Sequence, residues 1–524
     1  MQILSFITFT LFVAIVSYYK SRKNNENTSD GYFLGGRSLT GVVIAGSLLL
    51  TNLSTEQIVG LNGAAFKEGI LVMAWETLAA IAMVVTAFFL LPRYLKGGIT
   101  TVPQFLERRY DKTTRTIASG LFLTGYAVIL LPIVLYSGAL AINSMFDVPS
   151  LLGISKNSAL WFTVWTIGII GSIYAIFGGL KAVAISDTLN GYGLLIGGLA
   201  IPLIALTSIG VGNPMTGLIK VFENSPEKFN VIGAKDSVMP FEVLFTGLII
   251  NQLYFWSMNQ TIIQRALGAK NLIEAQKGLL FTGVLKILVP IIIILPGVIG
   301  FYYYGDSMYD NQDMIYPELI KKVLPAGLVG LFAAVVMGAV LSTFNSVLNS
   351  AATIFSIDIY KRHFGLNSSD QKLVRVGKLA STVLAIFAIL SAPMVANAPD
   401  GLYQLLQQLN GIFFIPIASI ILAGFFLKRV SAMGAKAALI VGLSFYIIST
   451  FILKTEIHFI HIWGIEFLIN IFVMFLVSHF YPISKEFKIE NLKIVDLSEW
   501  KYTKPMSIAL CFITIIIYIL LGKN

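Results

Sequence analysis

Apolar residues in this chain come in long continuous runs separated by short polar segments. A helix crossing a hydrocarbon layer about 30 Å thick needs a run of about 20 such residues, whereas a membrane-spanning barrel strand would alternate. Fourteen helical spans are predicted, at 2–19, 39–65, 69–92, 117–145, 158–178, 182–210, 241–264, 278–304, 323–358, 376–396, 401–427, 432–453, 457–481 and 505–522. The first is short and is followed by Lys20, Arg22 and Lys23. With no small-residue cleavage motif after it, it is expected as a retained helix rather than a signal peptide.

Basic residues test the count. With the first helix starting outside, 27 of the 37 Lys and Arg fall in inside segments and nine outside, leaving Lys286 within a span. That bias supports both number and direction, and puts both termini outside. Composition agrees: only 12% of the residues are charged, about half of the roughly 25% that covers a soluble surface. The net charge of +10 sits in short clusters between apolar runs, the pattern of membrane topology rather than of a nucleic-acid partner. A single cysteine, Cys511, excludes a disulfide framework or a thiolate metal site. The fold class expected is an all-α polytopic protein of the plasma membrane, of bacterial type, with lipid as its main surroundings.

Polar groups inside spans are costly and point to a pathway. The second span contains Leu50-Thr51-Asn52-Leu53-Ser54-Thr55-Glu56-Gln57, which predicts a broken helix whose freed carbonyls could hold a cation or a solute. The seventh mixes amides (Asn251, Gln252, Asn259, Gln260) with the rings of Tyr254, Phe255 and Trp256, a combination suited to a neutral polyol. Glu76 and Lys286 are each prohibitive alone, so they face a wet cavity or one another. The ninth span carries Ser342-Thr343-Phe344-Asn345-Ser346, rich in the oxygen that a hard cation prefers, and Asp187 lies close enough to join it. Such hydroxyls also bond back to their own helix. In the eleventh, Gln404, Gln407 and Gln408 share a face, as substrate ligands or as glue between helices. Glu466 has no partner that the sequence names.

These motifs resemble the sodium/solute symporter family, and within it the sodium/glucose and sodium/galactose branch. The resemblance is carried by Tyr32-Phe33-Leu34-Gly35-Gly36-Arg37-Ser38-Leu39 and Asn52-Leu53-Ser54-Thr55-Glu56-Gln57-Ile58-Val59-Gly60. It continues in Asn259-Gln260-Thr261-Ile262-Ile263-Gln264-Arg265, Glu274-Ala275-Gln276-Lys277-Gly278 and Leu348-Asn349-Ser350-Ala351-Ala352-Thr353-Ile354-Phe355, and covers roughly residues 30 to 437. It implies a LeuT-type inverted repeat of five plus five helices. The implied organisation is an extra helix and linker at 1–30, repeats at 31–210 and 211–430, and three C-terminal helices at 431–524. It also implies a sodium ion held by the carbonyls of Leu50, Leu53 and Ala339 with the hydroxyls of Ser342 and Thr343. Some relatives hold a second sodium, here among Asp187, Ser342, Asn345 and Ser346, with Asn345 where a hydroxyl is usual.

By the same resemblance the sugar site maps to Gln57, Glu76, Lys286 and Gln407, with Asn52 supporting the break and Gln252 and Phe255 in the wall. Leu61, Trp75 and Tyr403 map to the outer gate. Four positions depart: Gln252 replaces an asparagine, Phe255 a stacking tyrosine, Ala79 a serine and Leu130 an asparagine. The expected function is sodium-coupled import of a small neutral sugar or polyol by alternating access, with each inward positive charge gaining about 2.3 kcal/mol per 100 mV. Alternatives are an acidic solute such as sialic acid, or a solute sensor of the same fold. Sialic-acid relatives use an arginine on the fourth span, and no basic residue lies between Ser119 and Met145. An enzyme is not expected, because His363, His458, His461 and His479 do not converge with carboxylates. Oligomeric state is left open.

Overall fold

The computed structural model describes residues 1–22, 27–395, 402–483 and 487–522. Lys23, Lys485 and Lys523 of the charge count, and the adjoining ends of the tenth and eleventh predicted spans, lie outside the described residues. The architecture is helical, and a single parallel bridge, Leu39 to Ala269, is the extended pairing among those residues.

Twelve helices are each long and apolar enough to cross a membrane. In chain order they are α1 (Gln2–Ser21), α3 (Ile70–Gly97), α4 (Lys112–Phe146), α5 (Lys156–Ile176), α6 (Gly178–Ile209), α8 (Leu272–Met308), α9 (Ala326–His363), α10 (Asp370–Val395), α11 (Leu402–Phe426), α12 (Ala432–Ile452), α13 (Phe459–Phe480) and α14 (Thr503–Leu521). A bent pair, α2a (Gly41–Asn52) and α2b (Thr55–Glu68), makes a thirteenth. The seventh predicted span is not one helix. It divides into α7a (Gly247–Ser257) and α7b (Gln260–Leu267), each too short to cross alone.

Both interruptions have local causes. At α2 the chain leaves helical geometry at Leu53 (ψ 60°) and runs extended through Ser54 before turning 59° into α2b. At α7, Asn259 adopts an extended conformation and its side chain accepts from the Thr261 N–H at 3.0 Å, a cap that starts a new helix. Between α5 and α6, Gly179 takes φ 56° and ψ −176°, a conformation closed to other residues.

The long helix α9 is the axis of the bundle, buried along most of its length and packed on α6, α1, α4 and α2a. The helices α11, α12 and α13 form a second group against α7a, and α14 lies on α3 and α8. Large apolar side chains stay exposed on α1, α10, α13 and α14, as expected of a lipid-facing belt.

On the face bearing the basic loops, Arg115 sits in a buried network rather than in an open loop. Its Nε donates to Asp358 Oδ1 at 2.8 Å, Thr101 Oγ1 donates to the same oxygen at 2.9 Å, and Glu107 pairs with both Arg115 and Arg362. The network joins the α3–α4 connection to the end of α9. Removing one member of a buried pair strands the other and costs about 3–5 kcal/mol. Asp358→Asn is therefore expected to lower the thermal unfolding midpoint of the detergent-solubilised protein clearly. An unchanged midpoint would show that the network contributes little.

Candidate functional site

The break in α2 exposes backbone at the centre of the bundle. The last carbonyls of α2a have no intrahelical donor, and Leu50 and Leu53 stand at that end, fully buried. Facing them, Ala339, Ser342 and Thr343 occupy one face of α9 by i, i+3, i+4 spacing. The contact is direct: Thr343 Oγ1 donates to the Thr51 carbonyl at 2.9 Å, and the Ser342 and Thr51 hydroxyls lie 3.3 Å apart. Ser342 and Thr343 of the predicted cation ligands thus meet the end of α2a at a contact that offers oxygen, the donor type that suits a hard cation.

Of the four residues predicted for a second ion, Asp187, Ser342 and Ser346 gather around the Thr51 hydroxyl, which lies 3.5, 3.3 and 3.4 Å from their side-chain oxygens, and Asn345 does not join them. Asp187 Oδ2 accepts from Ser47 Oγ at 2.7 Å and from Arg265 Nη2 at 3.2 Å, and Arg265 Nη2 also donates to Ser346 Oγ. A guanidinium, wholly buried, therefore provides the positive charge beside Asp187. Asn345 faces elsewhere, in the wall of a separate cavity with Asn190 and Tyr174. Arg265 stood in a quoted motif, but its role could not be read because its partner is 78 residues away.

Beside the breaks lies a cavity of about 1040 Å³, lined by residues of α2, α3, α4, α7, α9 and α11. Asn52, Gln57, Gln252, Phe255 and Gln407 are all in its wall. Gln252 is committed in both directions, donating to the Trp75 carbonyl at 2.7 Å and accepting from Trp256 Nε1 at 3.1 Å. Gln57 Nε2 donates to Glu76 Oε1 at 3.2 Å, which leaves its buried Oε1 without a partner. Glu56, from the polar stretch of the second span, is also in the wall, and Tyr126 and Phe414 join it unforeseen. Tyr126 donates to Asn259 Oδ1 at 2.8 Å and so ties α4 to the α7 break. A tyrosine on an apolar helix carried no sequence signal.

Glu76 and Lys286 face one another, one of the two arrangements expected, although the resemblance maps both to the sugar site. They pair with each other, fully buried, and Lys286 also donates to Asn52 Oδ1. Neither lines the cavity; Asn52, Gln57 and Trp256 stand between the pair and the space. The ion pair thus buttresses the wall from behind.

Trp75 and Tyr403 meet edge to face, ring centroids 5.4 Å apart, and belong both to this wall and to that of an outer vestibule of about 1580 Å³. Leu61 lines the vestibule alone. Trp463 of α13 backs this partition, 6.2 Å from Trp75 and 4.7 Å from Phe414. In the other direction the cavity reaches Leu121, Phe122 and Ile417, toward the helix ends that carry the basic loops. His458 is half-buried at the vestibule, where it accepts from the Ile460 N–H at 3.3 Å.

Two broken helices around a mid-bundle cavity walled by amides and aromatic rings are the arrangement of a solute transporter. The chain belongs to the sodium:solute symporter family, whose sequence profile matches residues 32–442. It is 46% identical over 518 residues to the uncharacterized symporter YidK of Escherichia coli (strain K12), covering 99% of this chain and 90% of that one. It is 32% identical over 471 residues to the sodium/glucose cotransporter of Vibrio parahaemolyticus, covering 84% of each. A substrate-bound, outward-open Na+-coupled sialic acid symporter superposes with a TM-score of 0.80 at 22% identity, over 93% of this chain and 99% of that one. That likeness establishes the LeuT-type fold and no more. The protein is a multi-pass transporter of the plasma membrane, not an enzyme.

The pair behind the wall makes a sharp prediction. Lys286→Met or Glu76→Gln alone strands a buried charge or breaks its partner's bonding, at a cost of about 3–5 kcal/mol, and should reduce the amount of folded protein. The double variant should recover much of that amount, measured by fluorescence-detected size exclusion. If each single variant accumulates normally, the pair is not a structural buttress.

Proposed function

We propose that this chain imports a small neutral polyhydroxylated solute, a sugar or polyol, coupled to the inward movement of sodium by alternating access between halves spanning 31–210 and 211–430. The observation that carries this reading is the chemistry of the cavity wall. Side-chain amides and aromatic rings dominate it, Glu56 is its one carboxylate, and no Lys, Arg or His contributes to it among the described residues. A hydroxylated ring exchanges water for amide hydrogen bonds at little net cost and lays its apolar faces on the rings. The unpartnered Oε1 of Gln57 suits a hydroxyl donor. An acidic solute would meet Glu56 with no cation to offset either charge, a cost of several kcal/mol. The name of the 32% identical Vibrio relative, a sodium/glucose cotransporter, supports the same class.

Sodium is assigned to the contact between the α2 break and α9, held by Leu50, Leu53, Ala339, Ser342 and Thr343. Because the helices meet there, binding the ion favours one arrangement of α2 against α9, and so couples it to the cavity that Asn52 and Gln57 line. One sodium per cycle is proposed, since Arg265 already compensates Asp187. Trp75, Tyr403 and Leu61 form the outer gate in this reading.

Two measurements test it. In vesicles, Ser342→Ala and Thr343→Ala should raise the sodium concentration for half-maximal uptake by about 10-fold or more, as expected for losing a bond to a charged partner, and the wild type should show a Hill coefficient of about 1. Sodium dependence unchanged in both variants overturns the ion site, and a Hill coefficient near 2 overturns the stoichiometry. For the solute, sodium-dependent currents should appear with members of a panel of neutral sugars and polyols and be absent with sialic acids and amino acids. Saturable currents with an acid alone would reverse the assignment.

A further inference from the structure

On the face that bears the basic loops, away from the central cavity, the end of α3, the short helix Val102–Arg109 and the segment leading back to α14 enclose another space of about 1440 Å³. Among the described residues Arg93, Arg108, Arg109 and Lys488 line it, against one carboxylate, Glu490. Among the described residues none of these four cations has a carboxylate within ion-pair distance.

Two further details point to an anion. Arg109 is buried and donates to the carbonyls of Gly424, Leu427 and Val430 at 2.9, 2.9 and 3.0 Å, yet its Nη1 has no acceptor. The buried hydroxyl of Tyr94, in the same wall, has none either. Buried donors are rarely left unpaired, and two of them stand here beside an excess of positive charge. The space also adjoins the lipid-facing belt, since Arg93 lies 5.8 Å over the ring of Phe426, which is half exposed. A backbone clasp keeps the site in shape: the Leu492 N–H donates to the Lys96 carbonyl at 3.1 Å.

We propose that this space binds a phosphate group, whose several acceptor oxygens match guanidinium and phenol donors. The phosphate comes from an anionic phospholipid of the inner leaflet or from a soluble phosphate. Basic pockets between helices on the cytoplasmic side are suited to lipid headgroups, and occupancy here would fasten the segment before α14 to α3.

The test uses purified full-length protein in detergent. Phosphatidylglycerol is compared with phosphatidylcholine by native mass spectrometry, and inorganic phosphate with chloride at equal ionic strength by thermal unfolding. Retention of phosphatidylglycerol without a phosphate effect identifies the lipid source, and a phosphate-dependent shift identifies the soluble one. Tyr94→Phe, and the pair Arg93→Gln with Lys488→Gln, should each weaken the response by about 10-fold. Arg109 is left in place because its carbonyl bonds hold the end of α11. No preference for either probe, or a preference that both variants keep, overturns the site.

Discussion

A peptide carbonyl in the middle of a bilayer has no water to turn to, and leaving it unpaired costs several kcal/mol. The interruption of α2 at Leu53 and Ser54 puts several such groups at the centre of this protein, and much of the remaining structure is arranged around them. The helix α9 brings a row of hydroxyls to the break, and Thr343 reaches across to the Thr51 carbonyl. On the other side Asn52, which ends α2a, is gripped by Lys286, and Lys286 is neutralised by Glu76. A cation among the remaining carbonyls would complete the same requirement, which is why ion binding and the position of α2b are expected to move together.

The break also shapes the cavity. Turning α2b by 59° presents Glu56 and Gln57 to the space between α4, α7 and α11, and the second interruption, at Asn259, is tied to α4 by Tyr126. Polar side chains that would be intolerable against lipid become part of the wall of a central cavity. The rings of Trp75 and Tyr403 stand between it and the outer vestibule, and a helix outside the ten-helix core, α13, packs on Trp75 through Trp463. The C-terminal helices thereby pack against the wall of the central cavity rather than merely being added to the bundle.

Charge compensation follows one rule throughout. Arg265 with Asp187, Lys286 with Glu76, and Arg115 with Asp358 are all buried pairs between segments distant in sequence. Each couples helices that no local contact would hold in register. Glu56 and Glu466 depart from the rule: both are buried without an ion pair among the described residues, and neither carboxylate oxygen of Glu466 on α13 is hydrogen-bonded.

Much of this was legible in the residues alone. Apolar runs of fixed length, separated by basic clusters, determine a polytopic helical protein, because hydrocarbon thickness and backbone hydrogen bonding leave little choice. The polar stretch from Thr51 to Gln57 determines the break in α2, since a continuous helix there would bury those side chains without purpose. Periodicity on α9 likewise put Ser342 with Thr343 on a single face, whereas on α11 Gln404 and Gln408 line the vestibule and Gln407 the central cavity. What the sequence could not decide is which distant charges meet. Only the tertiary structure places Arg265 beside Asp187, sets Glu76 and Lys286 behind the cavity wall rather than in it, and turns Asn345 away from its neighbours. The physical reason is that helical periodicity specifies directions within one helix, whereas the rotation of each helix against the next is settled by packing across the whole bundle.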